Sequence, residues 1–315
     1  MQTKKAKTMT IKYLDKTFLG FQEYIQHSDT GRRSGIASAP VYAHPVDEWI
    51  IRTLNATPVK AVLNKAMDAL VSLQFGHDLA SSVFIDQKSF PDVFEVVAHC
   101  AKTLDIPIPH AVTKDGSDFF NAYTVGTDEY ALVYISPGLC QYFSKKEASF
   151  VIGHECGHIA AGHAMYHTLV QMLTGAITPY LGFIGVALRA TAGIPLMAWS
   201  RRAEVTADRA GLLCCGDIAI AERALLRLVT GIADVNQVDI EDYLRKFTEV
   251  REFHKFAEWQ DLNDSHPEIP KRIQALRLFA NSEIYYSLTG KEKPVGKKLL
   301  NQEALNQQVS KIVQP

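Results

Sequence analysis

The stretch Phe150–His163, FVIGHECGHIAAGH, constrains the fold more than any other part of the sequence. It reads as a buried helix, yet it carries His154, Glu155 and His158. On an α-helix, residues four apart lie about 40° apart around the axis, one turn along it. His154 and His158 therefore point the same way, close enough to share one ion. Glu155 is displaced from His154 by about 100°. That makes it a poor third ligand but lets it reach a water beside the ion. Two readings follow. The three side chains satisfy one another in a core, or two imidazoles hold Zn²⁺ while the glutamate takes a proton from water.

A catalytic zinc needs a third protein ligand and an open position. Glu204 lies on a second segment of helical pattern that begins near Ser200, and Asp208 follows at i+4 on the same face. Glu204 can be that ligand. Asp208 can accept a hydrogen bond from the other ring nitrogen of a ligand histidine and fix its tautomer. Gly153, Gly157 and Gly162 weaken the first helix intrinsically, which points to close backbone approach by its neighbours. His163 and His167 form another pair four apart, but Ala164 stands where a glutamate would. On a continued helix they would be rotated by about 140° and 180° from His158. They are expected to be packing or surface histidines.

The rest of the chain reads as mostly helical with a small sheet, an α+β fold. Ser144 and Glu147 have the spacing of a capping box that launches the histidine helix. Before it, two β-rich runs, Phe119–Val125 and Tyr130–Ile135, flank a polar turn that contains Gly126 and predict a hairpin. Helices are expected over 58–76, from Ser89 until Ile106-Pro-Ile-Pro stops it, and over 219–230, 241–259 and 270–279. Residues 1–57 are broken by Pro40 and Pro45. We divide the chain into an N-terminal helical arm (1–88), a catalytic domain (89–290) and a C-terminal tail (291–315).

Composition excludes some functions. Of 315 residues, 33 are basic and 34 acidic, a formal net charge of -1. A nucleic-acid binder normally shows a basic excess or stripe, so none is expected. Five cysteines, an odd number without disulfide-framework spacing, imply reduced thiols. With no apolar signal segment at the N-terminus, the expectation is a cytoplasmic protein. Ile159–Leu188 contains no Asp, Glu, Lys or Arg. Leu169–Leu188 is long enough to span a bilayer, but His158 and Glu204 must reach one ion, so the chain between them must cross an even number of times. There is no room for two spans, and Gly175, Pro179, Gly182, Gly185, Gly193 and Pro195 are read as interruptions. A buried helical hairpin over the site is favoured; peripheral membrane contact through Leu169 to Leu188 is the alternative.

HECGH followed by EVTAD resembles the gluzincin pattern HExxH…ExxxD. The surroundings resemble the HtpX-like and CaaX-prenyl-protease-type zinc metallopeptidases. The supporting stretches are Asn121-Ala-Tyr, Ser200-Arg-Arg-Ala-Glu-Val-Thr-Ala-Asp-Arg-Ala-Gly and Ser265-His-Pro-Glu-Ile-Pro-Lys-Arg-Ile, within a likeness covering about residues 90–280. The resemblance implies a zincin-type domain with a small edge-strand sheet beside the histidine helix. It implies that His154, His158 and Glu204 bind zinc and that Glu155 is the general base. It makes the strand from Asn121 an edge that pairs with an extended polypeptide substrate through Asn121, Ala122 and Tyr123, which suits β-addition. His266 would lie near the metal, either donating to the oxyanion or filling the open zinc position in a latent enzyme. Arg272 would anchor its helix.

The expected function is a zinc-dependent metalloendopeptidase acting on unfolded or extended polypeptides, with a place in protein quality control. Three rivals stand beside it. A zinc-stabilised, chaperone-like peptide-binding module would have no need of Glu155. An integral-membrane CaaX-type protease would need many spans. A structural zinc would be closed by four ligands.

Overall fold

In a computed structural model, residues 39–47, 79–114, 119–126, 131–164, 166, 182–253 and 268–313 are described. The elements are β1 (Val83–Ile85), α1 (Pro91–Thr103), β2 (His110–Thr113), β3 (Ala122–Gly126), β4 (Ala131–Ile135), α2 (Pro137–Tyr142), α3 (Lys145–Ala160), α4 (Gly182–Cys215), α5 (Ile218–Thr230), α6 (Ile240–Phe253), α7 (Ile269–Ala280), α8 (Glu283–Thr289) and α9 (Gln302–Ile312). The fold is α+β and mostly helical, as the sequence predicts.

Ser144 starts α3. Its hydroxyl accepts from the Glu147 N–H, and the Glu147 carboxylate accepts from the Ser144 N–H, a complete capping box. The predicted hairpin is β3–β4, paired antiparallel from Ala122 opposite Ile135 to Gly126 opposite Ala131. It belongs to a four-stranded sheet of order β1-β2-β4-β3, in which β2 runs parallel to β4 and β3 forms an edge. The strands β1 and β2 are too short to display a period, so sequence alone does not reveal them. Alternation puts Ile85, Ala111, Val133 and Ile135 on the helical side. Val112, Leu132 and Tyr134 lie on the other face with Phe84, Tyr123 and Val125.

The helix α3 lies between this sheet and α4, and almost all of its residues are buried. Its two glycines mark the α4 contact. A Cβ on Gly153 would lie 2.7 Å from Cys214 Cβ, and one on Gly157 would lie 2.6 Å from Ala210 Cβ. From the α4 side, a Cβ on Gly211 would meet the Phe150 carbonyl oxygen at 2.6 Å. Gly162 differs from the expectation: nothing lies near its Cβ position, and it has φ +74°. Its task is a left-handed turn that ends α3, since α3 stops at Ala160. His163, three residues beyond the helix, thus leaves the helical wheel on which the sequence pattern places it.

The second histidine-site helix also starts earlier than expected, at Gly182 instead of near Ser200. Gly182, Gly185, Gly193 and Pro195 lie inside it and do not interrupt it. Tertiary packing supplies most helical stability, so weak propensity in part of a long helix is overridden. The expected helix over 58–76, the stretch from Leu169 to Leu181, His167 and His266 lie outside the described residues. Among the described residues, no helix is long and apolar enough to cross a membrane. The C-terminal α9 buries Leu305 and Val309 in the same core as Ile152, Leu212 and Phe279.

The helix seam generates a first prediction. Gly157→Ala inserts a methyl group into the α3–α4 contact and should destabilise the fold by about 1–3 kcal/mol, the cost of overpacking. Thermal denaturation checks this; a melting temperature equal to wild type would show that the helices separate freely.

Candidate metal centre and cleft

Three side chains converge where α3 faces α4. His154, His158 and Glu204 each offer one ligand atom, and these lie within 4.8 Å of one another. His154 Nε2 is 3.2 Å from His158 Nε2. Glu204 Oε2 is 3.5 Å from His154 Nε2, and Glu204 Oε1 is 3.3 Å from His158 Nε2. Zinc bonds to nitrogen and oxygen are about 2.0–2.2 Å long, so two ligands on a zinc tetrahedron should sit roughly 3.3–3.5 Å apart. The nitrogen–nitrogen and the two nitrogen–oxygen separations are of that size, with a different Glu204 oxygen facing each imidazole, and the donor chemistry suits zinc. All three residues are buried, Glu204 completely. The i, i+4 spacing on α3 supplies two donors, and the tight crossing with α4 supplies the third.

Each imidazole is held from behind. His154 Nδ1 donates to Asp208 Oδ1 at 2.9 Å. Asp208 is itself gripped by Arg272 of α7, with Nε to Oδ2 at 2.9 Å and Nη2 to Oδ1 at 2.6 Å. This fork ties α7 to α4, the anchoring expected of Arg272. His158 is held by His163, which the sequence pattern assigns to packing or the surface. His163 Nδ1 lies 3.0 Å from His158 Nδ1, and His163 Nε2 lies 2.8 Å from Asp47 Oδ2. The turn at Gly162 brings His163 back under α3, and its N–H bonds the His158 carbonyl at 2.8 Å. Sequence could have hinted at this through the glycine before His163; Asp47 carries no local signal.

Burial opposes protonation of both His154 and His158. At His154, Glu204 and Asp208 outweigh it and raise the pKa above its ordinary value. At His158 burial prevails, helped by the charge of neighbouring His154, and the pKa is lowered. Burial also pushes Asp208 upward, but Arg272 and His154 overcome it and hold the carboxyl below its usual range. Ligand imidazoles must be neutral; the lowered pKa of His158 favours that form, and the raised pKa of His154 means that a cation binding there would displace a proton.

Glu155 projects away from α4 toward the sheet. Its Oε2 accepts from the Thr124 hydroxyl at 2.7 Å. Thr124 is fully buried on β3, and sequence reading did not single it out. A cleft of about 490 Å³ opens here, lined by Asn121, Ala122, His154, Glu155, Glu204 and Arg272 among others. Asn121 and Ala122 thus face the site together with Glu155. Tyr123 does not: its ring stacks on Tyr134 on the far face of the sheet, with centroids 4.6 Å apart.

The model of peptidase family M48 matches residues 87–280. A curated relative, the plastoglobule-localized metallopeptidase 48, chloroplastic, of Arabidopsis thaliana, is 26% identical over 213 residues. That match covers 65% of this chain and 60% of the relative, so the chain spans less than two thirds of that protein's length. No solved structure matches the chain.

Arg272 should be costly to remove. Arg272→Met leaves Asp208 and Glu204 as buried carboxylates without their cation, and should cost about 3–5 kcal/mol of stability. Adding Asp208→Asn to that variant should recover part of the loss. Urea unfolding of the two single variants and the double variant measures this coupling; strict additivity would mean that the fork is energetically idle.

Proposed function

The chain belongs to peptidase family M48, and on that premise we propose that it is a zinc-dependent metalloendopeptidase acting on unfolded or extended polypeptides. The observation that carries this reading is the placement of Glu155 in one cleft with His154 and Glu204, beside a donor triangle of zinc dimensions. Within the family, the stretches around Glu204 and His266 favour the HtpX-like and CaaX-prenyl-protease-type members. Protein quality control is the role such an activity suits. We assign the chain to the cytoplasm, with peripheral membrane contact through Leu169 to Leu188 as the alternative.

His154, His158 and Glu204 would hold the zinc. When bound, the ion polarises the scissile carbonyl and makes water acidic near neutral pH. Glu155 accepts a proton from water and passes it to the leaving amine. Thr124 holds the carboxylate of Glu155 in place from β3. The edge of that strand, starting at Asn121 and Ala122, adds a strand of substrate through main-chain hydrogen bonds. Such pairing tolerates many sequences, needs an extended chain and places no limit on chain length at either end, which suits internal cleavage. Asp208 orients His154 through Nδ1. His266 either donates to the oxyanion or keeps the enzyme latent.

Cleavage of an unfolded protein by wild type and by Glu155→Gln, with bound metal measured in both, tests this. Glu155→Gln should keep its metal and lose at least about 100-fold in rate. If both bind metal and neither cuts, His266→Ala tests latency; failure of that variant too would favour a zinc-stabilised peptide-binding module. A companion prediction concerns Thr124. Thr124→Val should lower kcat about tenfold with metal content unchanged, and Thr124→Ser should restore most of it. An unchanged kcat in Thr124→Val would remove Thr124 from the mechanism.

A further inference from the structure

We propose that His163 and Asp47 are positioning residues for the metal site, forming a carboxylate–imidazole chain that fixes His158 in its metal-binding tautomer. The inference rests on the reading of His158 as a ligand. It extends the site to a residue of the N-terminal segment, outside the matched residues 87–280.

The argument is one of proton placement. His158 and His163 meet Nδ1 to Nδ1 at 3.0 Å, so one ring must donate and the other accept. Two assignments exist for neutral rings. In the first, His158 Nδ1–H donates to His163 Nδ1. His158 Nε2 then presents its lone pair toward His154 and Glu204, where an ion would sit. The His163 proton lies on Nε2 and donates to Asp47 Oδ2 at 2.8 Å. Every donor has an acceptor. In the second, His163 Nδ1–H donates to His158. The His158 proton then sits on Nε2 and blocks ligation, while the His163 Nε2 lone pair faces the Asp47 carboxylate. That contact is repulsive and buried, where an unmet polar group is costly. Asp47 therefore selects the ligating arrangement.

Asp47 is built to stay in place. Its Oδ1 accepts from Trp199 Nε1 at 2.8 Å, and its Oδ2 accepts from the Thr206 hydroxyl at 2.8 Å as well as from His163. Asp47, His163, Trp199 and Thr206 are all almost wholly buried. Thr206 and Trp199 stand on α4, the helix that carries Glu204. The neighbouring backbone is tied to the same helix: the Arg209 guanidinium donates to the Tyr42 carbonyl at 2.9 Å, and the His44 N–H donates to Thr206 at 3.1 Å. The two ligand histidines are thus fixed alike, His154 by Asp208 directly and His158 by Asp47 through one intervening ring.

The experiment measures Zn²⁺ affinity by competition with a chelating dye, the visible spectrum of the Co²⁺-loaded protein, and the melting temperature of each variant. His163→Phe fills the space but removes the acceptor, and should weaken Zn²⁺ about 10–100-fold and alter the Co²⁺ spectrum. His163→Asn offers an amide oxygen to His158 and should recover most of the affinity. Asp47→Asn keeps the shape but removes the charge, and should fall between them. It serves alone if His163→Phe does not fold. Leu305→Ala lowers stability in the same core without touching the chain, and should leave Zn²⁺ affinity unchanged. The proposal is overturned if His163→Phe and Asp47→Asn bind Zn²⁺ like wild type, or if Leu305→Ala weakens it as much. His158→Ala separates this from the parent reading: if it too keeps full affinity, His158 is not a ligand and the metal assignment itself fails.

Discussion

The site depends on how closely α3 approaches α4. Two donors sit on one helix and the third on the other, so the donor triangle is only as small as the crossing allows. Helix pairs normally pack with axes about 8–10 Å apart, according to the side chains between them. Here the side chains are nearly absent. Gly153 and Gly157 on α3 meet Cys214, Ala210 and Ala207, and Gly211 on α4 meets the Phe150 backbone. Each glycine inside a helix costs about 1 kcal/mol relative to alanine. The capping box at Ser144 and the nearly complete burial of α3 offset that cost. A more stable helix with alanine at these positions would hold Glu204 too far from the histidines.

Closeness brings an electrostatic problem. Glu155, Glu204 and Asp208 are all nearly inaccessible to water, and Arg272 is the cation within their group. Three carboxylates and one guanidinium leave a formal charge that a divalent cation would cancel. Burying like charges without compensation costs several kcal/mol per ion, so the arrangement is better matched to a metalloprotein than to a satisfied polar core. This argument is independent of the donor distances, and the two agree. Arg272 stands on a third helix, so α7 brings the counter-charge from outside the helix pair, to Asp208 by a fork and to Glu204 Oε2 at 3.6 Å.

Much of this was legible in the sequence because it is local. Spacings of three and four residues on a helix report directly on geometry, so His154, His158, Glu155, the Ser144–Glu147 cap and the Glu204–Asp208 pair could be placed without coordinates. The β3–β4 hairpin was visible from its period and turn. What was not legible depends on where the chain goes after an element ends. His163 was misplaced because the helical wheel was extended through Gly162, where the backbone turns left-handed. Asp47 meets His163 across more than a hundred residues, a contact that no local pattern encodes. Thr124 looks like an ordinary strand residue until α3 is laid against the sheet. The early start of α4 was hidden because propensity counts Gly193 and Pro195 as breakers, while the helix runs through both.

The remaining step is how one helix serves two partners. Successive residues on α3 point about 100° apart, so His154 faces α4 while Glu155 faces β3. The candidate metal donors are thereby referenced to one neighbour and the Glu155 carboxylate to the other. On the sheet side, Thr124 opposes Val133 of β4 and directs its hydroxyl at Glu155. A slip of one residue in that register would turn Thr124 to the far face, where Tyr123 now stacks on Tyr134. The register that stacks Tyr123 on Tyr134 is therefore the register that holds the Glu155 carboxylate. A substrate strand added to the edge of β3 would inherit it too. Its backbone would be set relative to Glu155 by the same hydrogen-bond ladder that builds the sheet, with no contact to substrate side chains required.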